Sequence, residues 1–295
     1  MSPSERAIAA EHAESAKLQK LANAPQPACP FLERMRPGAL CTKVGGICSL
    51  RQYETREGQV IPSKSQPTTT CPNRFLEDRG ERSVFSYIAR ELFNVDSGAK
   101  VIKEIPFLEK ETLDGTGRGA KAGRIDWIVV PNPSSVDEGE NLKWLAVETQ
   151  AVYFSGDEIW LDIKAFRDDP SKVHMPRGRR RPDYRSSGAK RLAPQLAAKS
   201  PVITRWGRKM AVVVDTAFFN EMGALAASSD FENSEVVWFI MQYSASMELE
   251  VGKVILTELS PSIAALQAAK PVNRSTFEQM LKVEISTASS KVFDA

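Results

Sequence analysis

Short apolar runs separated by turn-forming residues constrain the fold of this chain more than any other feature of its sequence. An apolar helical stripe over 81–94 comes first, and runs at 101–107, 125–130 and 144–154 follow. Their length and their Gly- and Pro-rich boundaries predict strands. The remaining patterns predict a helix near 188–199, a strand at 211–215, a helix at 216–227, strands at 236–243 and 253–257, and a helix opened by a capping box at Ser275–Glu278. This order predicts a mixed α/β sandwich.

The first quarter of the chain differs from the rest. Residues 5–22 are polar and Ala-rich, which predicts a helix, and residues 23–80 are rich in Pro, Gly, Thr and Cys without a sustained period. A segment of this kind buries little apolar surface by itself, so it needs disulfide bonds or a bound metal ion to stabilise it. We therefore predict a metal-binding region over 1–80 and a larger domain over 81–295.

Composition excludes several classes of protein. Of the 295 residues, 42% are hydrophobic and 26% are charged, which is ordinary for a soluble globular protein and argues against general disorder. No apolar run is long enough to cross a membrane, and the N-terminal residues lack the apolar core of a signal peptide. We expect no membrane partner and a cytoplasmic location.

Polar side chains interrupt two of the predicted strands. Asp126 begins the strand in the sequence GRIDWIVV, and Glu148 and Gln150 lie two apart in WLAVETQ, so that they project from one face. A charge in an apolar strand is costly unless it is paired or binds a cation. Two carboxylates on neighbouring strands can share one Mg²⁺, which would activate water and neutralise charge on a phosphate oxygen. In the alternative interpretation, Asp126 only begins a strand beside a turn, and Glu148 forms an ion pair with an arginine on the surface.

All four cysteines, Cys29, Cys41, Cys48 and Cys71, lie in the predicted N-terminal region. A reducing cytoplasm disfavours disulfides. No CxxC pair is present, so the spacing is not that of a common zinc finger. Four thiols confined to one turn-rich region still favour a tetrahedral thiolate site for a metal. The alternative is a set of buried free thiols that pack as small apolar groups.

Positive charge is concentrated in one segment, although the net charge of the chain is only +2. Residues 164–209 contain fourteen Lys or Arg and three Asp. Such a segment predicts phosphate contacts, and arginine also suits bidentate recognition of guanine. The alternative is a solvated loop. The residues expected to contact DNA are Arg177, Arg179, Arg180, Arg181, Arg185, Ser186, Ser187, Lys190 and Arg191.

Together these motifs resemble a known family. An Asp, a spacer of some twenty residues and Glu-x-Lys in an apolar strand mark the PD-(D/E)XK nuclease superfamily, and the variant Glu148-x-Gln150 is similar to that of NotI-like restriction endonucleases. The strings CPFLERMRPGALCTKVGGICSLRQYE, CPNRF and RPDYRSSGAKRLAPQL resemble the cysteine and basic segments of the same family. The resemblance spans about residues 28–245, and the predicted element order matches the αβββαβ core of the superfamily.

The resemblance implies a type II restriction endonuclease that hydrolyses double-stranded DNA at a short, GC-rich palindrome. It implies Mg²⁺ held by Asp126 and Glu148, water oriented by the uncharged Gln150, and structural iron on the four cysteines, with zinc as the alternative. A further acid is expected among Glu91, Glu104 and Glu111. A palindromic target implies a two-fold symmetric homodimer.

Two rival functions stay open at this point. A metal-stapled DNA-binding protein without catalysis explains the cysteines and the basic segment, but it leaves the polar residues in apolar strands unexplained. A nuclease of the same fold that acts in repair or on modified DNA explains all three features.

Overall fold

A computed structural model describes most of the chain. The described residues are 6–10, 28–33, 35–41, 47–57, 59–77, 83–109, 121–131, 142–155, 162, 165, 168, 169, 171, 174, 181–268 and 272–287. Arg177, Arg179, Arg180 and Glu111, all singled out above, lie outside this set.

A six-stranded mixed sheet forms the centre of the molecule. The strands are β5 (Lys100–Glu109), β6 (Lys121–Val130), β7 (Leu145–Thr149), β10 (Met210–Asp215), β11 (Val236–Tyr243) and β12 (Leu249–Thr257). Their order across the sheet is β12-β11-β10-β7-β6-β5. The pairs β5–β6, β6–β7 and β11–β12 are antiparallel, whereas β7–β10 and β10–β11 are parallel.

Six α-helices accompany the sheet among the described residues. They are α1 (Val84–Phe93), α2 (Tyr184–Ser187), α3 (Ala193–Arg205), α4 (Thr216–Asn220), α5 (Leu259–Gln267) and α6 (Arg274–Ser286). A π-helical turn, Gly188–Leu192, joins α2 to α3, and a short 3₁₀ helix spans Pro72–Leu76.

The two faces of the sheet bury separate apolar clusters. Alternation along the strands sends Val147 and Val213 to one face, where α1 contributes Ile88, and sends Ala146 to the other, where α3 contributes Leu196. This is the layered α/β arrangement that the sequence predicts, with helices on both faces.

The predicted order of elements is largely confirmed. The helix at 81–94 and the strands at 101–107, 125–130, 211–215, 236–243 and 253–257 all appear, with ends shifted by a few residues. The predicted strand 144–154 is instead divided into β7 and β8 (Tyr153–Ser155), since the chain turns away at Gln150. The helix expected at 216–227 ends at Asn220. The last helix begins at Arg274, because Asn273 and not Ser275 accepts the capping hydrogen bond from the Thr276 N–H.

The N-terminal quarter contains strands that the sequence patterns miss. β1 (Arg6–Ala10), β2 (Ser49–Arg56) and β3 (Gln59–Pro62) form an antiparallel sheet, and β4 (Thr68–Thr69) pairs with β2. The prediction of a helix from residue 5 is therefore wrong for residues 6–10, where pairing with β2 overrides the helical propensity of alanine.

Residues next to the predicted boundary at 80 join the N-terminal part to the main sheet. Phe75 and Leu76 pack in the same cluster as α1 and β7. The Thr69 N–H donates to Asp215, and the Thr69 carbonyl accepts from Val152 at 2.8 Å. In the part of the chain that the structure describes, no helix has the length and apolar character needed to cross a bilayer.

Candidate active site

The candidate site lies where β6 and β7 separate. The two strands pair up to Trp127 and Val147, and the next pair in this register would be Asp126 and Glu148. At this point the backbone N–H groups of Asp126 and Thr149 donate to side-chain carboxylates and not to backbone carbonyls of the neighbouring strand. The Asp126 N–H donates to Glu148 Oε1 at 3.4 Å, and the Thr149 N–H donates to Asp126 Oδ2 at 3.0 Å. The sequence prediction that these two acids lie next to each other on neighbouring strands is confirmed by this geometry.

Asp126 is held from the β7 side. Its Oδ2 accepts hydrogen bonds from both the N–H and the hydroxyl of Thr149, the latter at 3.1 Å. The Thr149 hydroxyl oxygen also accepts from the Trp127 indole N–H at 3.3 Å. The carboxylate is half-buried, so its orientation is fixed while part of it still faces solvent.

Glu148 is deeply buried for an acid, at 1% exposure. Burial, followed by the neighbouring charge of Asp126, raises the pKa of Glu148 from 4.5 to about 7, and the charge and hydrogen bond of Lys199 oppose that rise. Lys199 Nζ lies 2.6 Å from Glu148 Oε1. A carboxylate with a raised pKa beside a second carboxylate is typical of a functional site.

Lys199 is a site residue that the sequence interpretation treated only as part of the basic segment. It lies on α3 at 3% exposure and donates also to Gln195 Oε1 at 2.9 Å. A signal was present in the sequence, because Lys199 falls on the apolar stripe formed by Leu192, Leu196 and Ile203. A lysine on the buried stripe of a helix needs a partner in the interior.

Gln150 lies close to this site in sequence but beyond the end of β7. Its backbone N–H donates to Val213 O at 3.0 Å, and its side-chain amide donates to Ala151 O at 2.6 Å. The side chain is buried. The expectation that Gln150 shares a strand with Glu148 is therefore wrong, because β7 ends at Thr149.

The candidates for a further acid differ in position. Glu91 is exposed on α1, which packs on the face of the sheet opposite to α3. Glu104 lies on β5, where the flanking pairs Lys103–Trp127 and Ile105–Ile125 place it opposite Asp126. Its φ of 56° marks an irregular strand position. Its carboxylate contacts Lys103 at 3.1 Å and Arg124 at 3.0 Å, and these cations lower its pKa, with Lys103 the larger cause.

The four cysteines are partly drawn together, and none forms a disulfide. Cys48 and Cys71 share a hydrogen bond, which together with burial and the nearby Cys41 raises the pKa of the Cys48 thiol well above 9.0. Burial also raises the pKa of Cys29, while the N–H groups of Phe31 and Leu32 oppose this effect. Neighbouring sulfurs that are buried or partly buried suit a cation that would stabilise thiolates.

Neither set of residues is a complete ligand shell by itself. Among the described residues, no three His, Cys, Asp or Glu side chains are arranged as a group that could hold a metal ion. For the acidic pair this still fits Mg²⁺, which commonly takes one or two carboxylates and fills its other positions with water and phosphate. For the cysteines, the donor chemistry fits iron or zinc, although the described positions do not bring three sulfurs to one point.

The described part of the basic segment leads directly into the helix of Lys199. Arg181, Arg185, Lys190 and Arg191 are all exposed. The Arg191 guanidinium lies 3.7 Å from the centroid of the Tyr153 ring on β8, which fixes its direction.

The two serines expected to contact DNA, Ser186 and Ser187, have structural contacts. Ser187 is fully buried, and its hydroxyl accepts a hydrogen bond from the Tyr153 N–H at 3.1 Å. The expectation that it contacts phosphate is corrected accordingly, because no part of it faces solvent. The Ser186 N–H donates to Asp183, which caps α2.

Comparison with known proteins identifies the family of this chain. The model of the family described as "Restriction endonuclease NotI" matches residues 15–253, which is most of the chain and includes every described residue of the site. No curated protein matches the sequence. The chain therefore belongs to the NotI restriction endonuclease family, which makes it a DNA-cleaving hydrolase.

Proposed function

We propose that this protein is a type II restriction endonuclease that cleaves double-stranded DNA at a short palindrome in a Mg²⁺-dependent reaction. The observation that carries the proposal is the meeting of Asp126 and Glu148 where β6 and β7 part. The exposed cations at the start of the neighbouring helix supply a surface for the DNA backbone.

The proposed fold is that of the PD-(D/E)XK nucleases. The order α1, β5, β6, β7, α3, β10 is a helix, three antiparallel strands, a helix and a parallel strand. This agrees with the αβββαβ core, and it puts the two acids on the second and third core strands.

The side chains have separate roles in the proposed reaction. Asp126 and Glu148 would hold Mg²⁺, with Glu104 as the candidate further acid. The ion would supply a Lewis acid that lowers the pKa of water and neutralises charge on the scissile phosphate. Thr149 orients the Asp126 carboxylate. Gln150 has no group that titrates at neutral pH, so its amide would position water and not act as a base.

We propose that Cys29, Cys41, Cys48 and Cys71 hold structural iron, with zinc as the alternative. Four thiolates close the coordination sphere and leave no position for substrate. The contact between Cys48 and Cys71 supports this role, since it joins the end of β4 to the start of β2.

A palindromic target has two equivalent scissile bonds, so we propose that the active form is a two-fold symmetric homodimer. The arginines of the basic segment are compatible with a GC-rich site, because arginine binds the O6 and N7 atoms of guanine.

The proposal is tested by mapping cut ends. Plasmid DNA is incubated with the protein and Mg²⁺, and the fragment ends are sequenced. We expect fixed ends within one short palindrome. Scattered or structure-dependent ends would point instead to a repair or modification-dependent nuclease, and retarded but intact DNA would point to a binding protein without catalysis.

A further inference from the structure

Lys199 is the buried lysine of the described chain, and its location needs an explanation. At 3% exposure it occupies the apolar stripe of α3, four residues before the fully buried Ile203. A leucine or methionine there would extend the cluster without the cost of desolvating an ammonium group. Packing alone therefore does not account for a lysine at this position.

The contacts of Lys199 are with the candidate site. Its ammonium group donates to Glu148 Oε1 at 2.6 Å and to Gln195 Oε1 at 2.9 Å. The Asp126 N–H donates to the same oxygen of Glu148. Within the described residues, every hydrogen bond to this carboxylate goes to Oε1, so the side chain is held by one oxygen and Oε2 accepts none from these residues.

The charge of Lys199 also compensates for a feature of the strand motif. The third position of Glu148-x-Gln150 is uncharged, and the Gln150 amide donates to the adjacent Ala151 carbonyl. Two carboxylates thus lie together with no cation from the strand. Lys199 reaches Glu148 from α3, on the face of the sheet that Ala146 and Leu196 also line.

We propose that Lys199 is a positioning residue of the active site, which fixes Glu148 for cation binding and supplies from α3 the positive charge that Gln150 lacks. This inference rests on the proposed function, because it assigns a cation to Glu148. Groups that hydrogen-bond a metal-ligating side chain typically change metal affinity or activity by about 10–100-fold when they are removed.

The test compares Lys199→Met with the wild type and with Lys253→Met. Met keeps most of the length of lysine without its charge. Lys253 is exposed on the edge strand β12, far across the sheet order from β7, so its variant removes an equal charge outside the site. Thermal unfolding establishes that each variant is folded, and Mn²⁺ binding to the DNA-free protein is measured by calorimetry.

We expect Lys199→Met to bind Mn²⁺ about 10–100-fold more weakly and to cleave more slowly at saturating DNA, with the Kd for DNA in metal-free buffer unchanged. Lys199→Arg, which restores the charge, should recover part of both losses. Lys253→Met should behave as the wild type. A folded Lys199→Met variant with Mn²⁺ affinity and cleavage rate within about twofold of the wild type would overturn the inference.

A second variant covers the case in which Lys199→Met does not fold. Gln195→Met removes the other hydrogen-bond acceptor of Lys199 and leaves its charge in place. It should shift Mn²⁺ affinity in the same direction by a smaller factor, and no shift would count against the inference. If the wild type fails to cut DNA, the proposed function is lost, whereas the Mn²⁺ titrations still decide the role of Lys199.

Discussion

At the scale of single residues, the site depends on how Glu148 is surrounded. One oxygen of a nearly inaccessible carboxylate accepts from a lysine and from the backbone of β6, and a second carboxylate lies beside it. Such an arrangement is unfavourable for an ionised acid unless cations compensate it, which explains why its pKa is raised to about 7. The same unfavourable charge would favour binding of a divalent ion.

The raised pKa predicts a pH-dependent requirement for Mg²⁺. With a pKa of about 7, Glu148 is protonated in acidic solution and ionised above neutral pH. Protons therefore compete with the cation for the Glu148 carboxylate below about pH 7, and this competition disappears as the pH rises. The Mg²⁺ concentration for half-maximal cleavage should rise as pH falls from 8 to 6, by up to about tenfold per unit. Cleavage rates across Mg²⁺ titrations at several pH values measure this, and DNA binding in metal-free buffer is the control. An identical Mg²⁺ requirement at pH 6 and pH 8 would contradict it.

At the scale of elements, the apolar patterns predicted the central sheet because each strand has a local signal. The runs at 236–243 and 211–215 match β11 and β10 almost residue for residue, since both are buried on two faces and read as continuous apolar segments. The end of β7 at Thr149 had no such signal. It is set by pairing of the next residues with Val213 and Thr69, which lie far away in sequence.

In the site, too, features with a local sequence signal were predictable, whereas contacts between residues far apart in sequence were not. Asp126 and Glu148 were predictable because polar residues in apolar strands are locally anomalous. The contact of Lys199 with Glu148 spans 51 positions of sequence and depends on how α3 packs across the sheet. Strands β1 to β3 were missed because their sequences, RAIAA, SLRQYETR and QVIP, show no sustained alternation, and the sheet forms through pairing between them.

At the scale of elements, we predict that the proposed metal site of the four cysteines stabilises the N-terminal region. Loss of one thiolate weakens a metal site whose binding energy contributes to folding, so Cys48→Ser should lower the thermal stability of the protein by several degrees and reduce its bound metal. Ser65→Ala, at an exposed position of the same N-terminal region, is the control. Calorimetric unfolding and elemental analysis measure the two effects. Soluble, fully active Cys48→Ser protein with unchanged metal content would remove the structural-metal proposal.

At the scale of the whole molecule, charge and apolar surface are unevenly distributed. The cations of the basic segment lie where the chain passes from β8 and β9 (Arg181–Asp183) into the helix that carries Lys199. Helix α6 lies beyond the part matched by the family and buries none of its side chains. The residues proposed for catalysis and for DNA contact therefore lie around β6, β7 and α3.

The central claim is that Asp126 and Glu148 together hold the cation that meets the scissile phosphate, and Glu148→Gln tests it most directly. Plasmid cleavage in Mg²⁺ and band shifts in metal-free buffer are measured for this variant and the wild type. We predict that cleavage falls on the order of 10³-fold or more, because several kcal/mol of charge stabilisation are lost, while DNA affinity stays within about threefold. A variant that cuts at the wild-type rate would contradict the account.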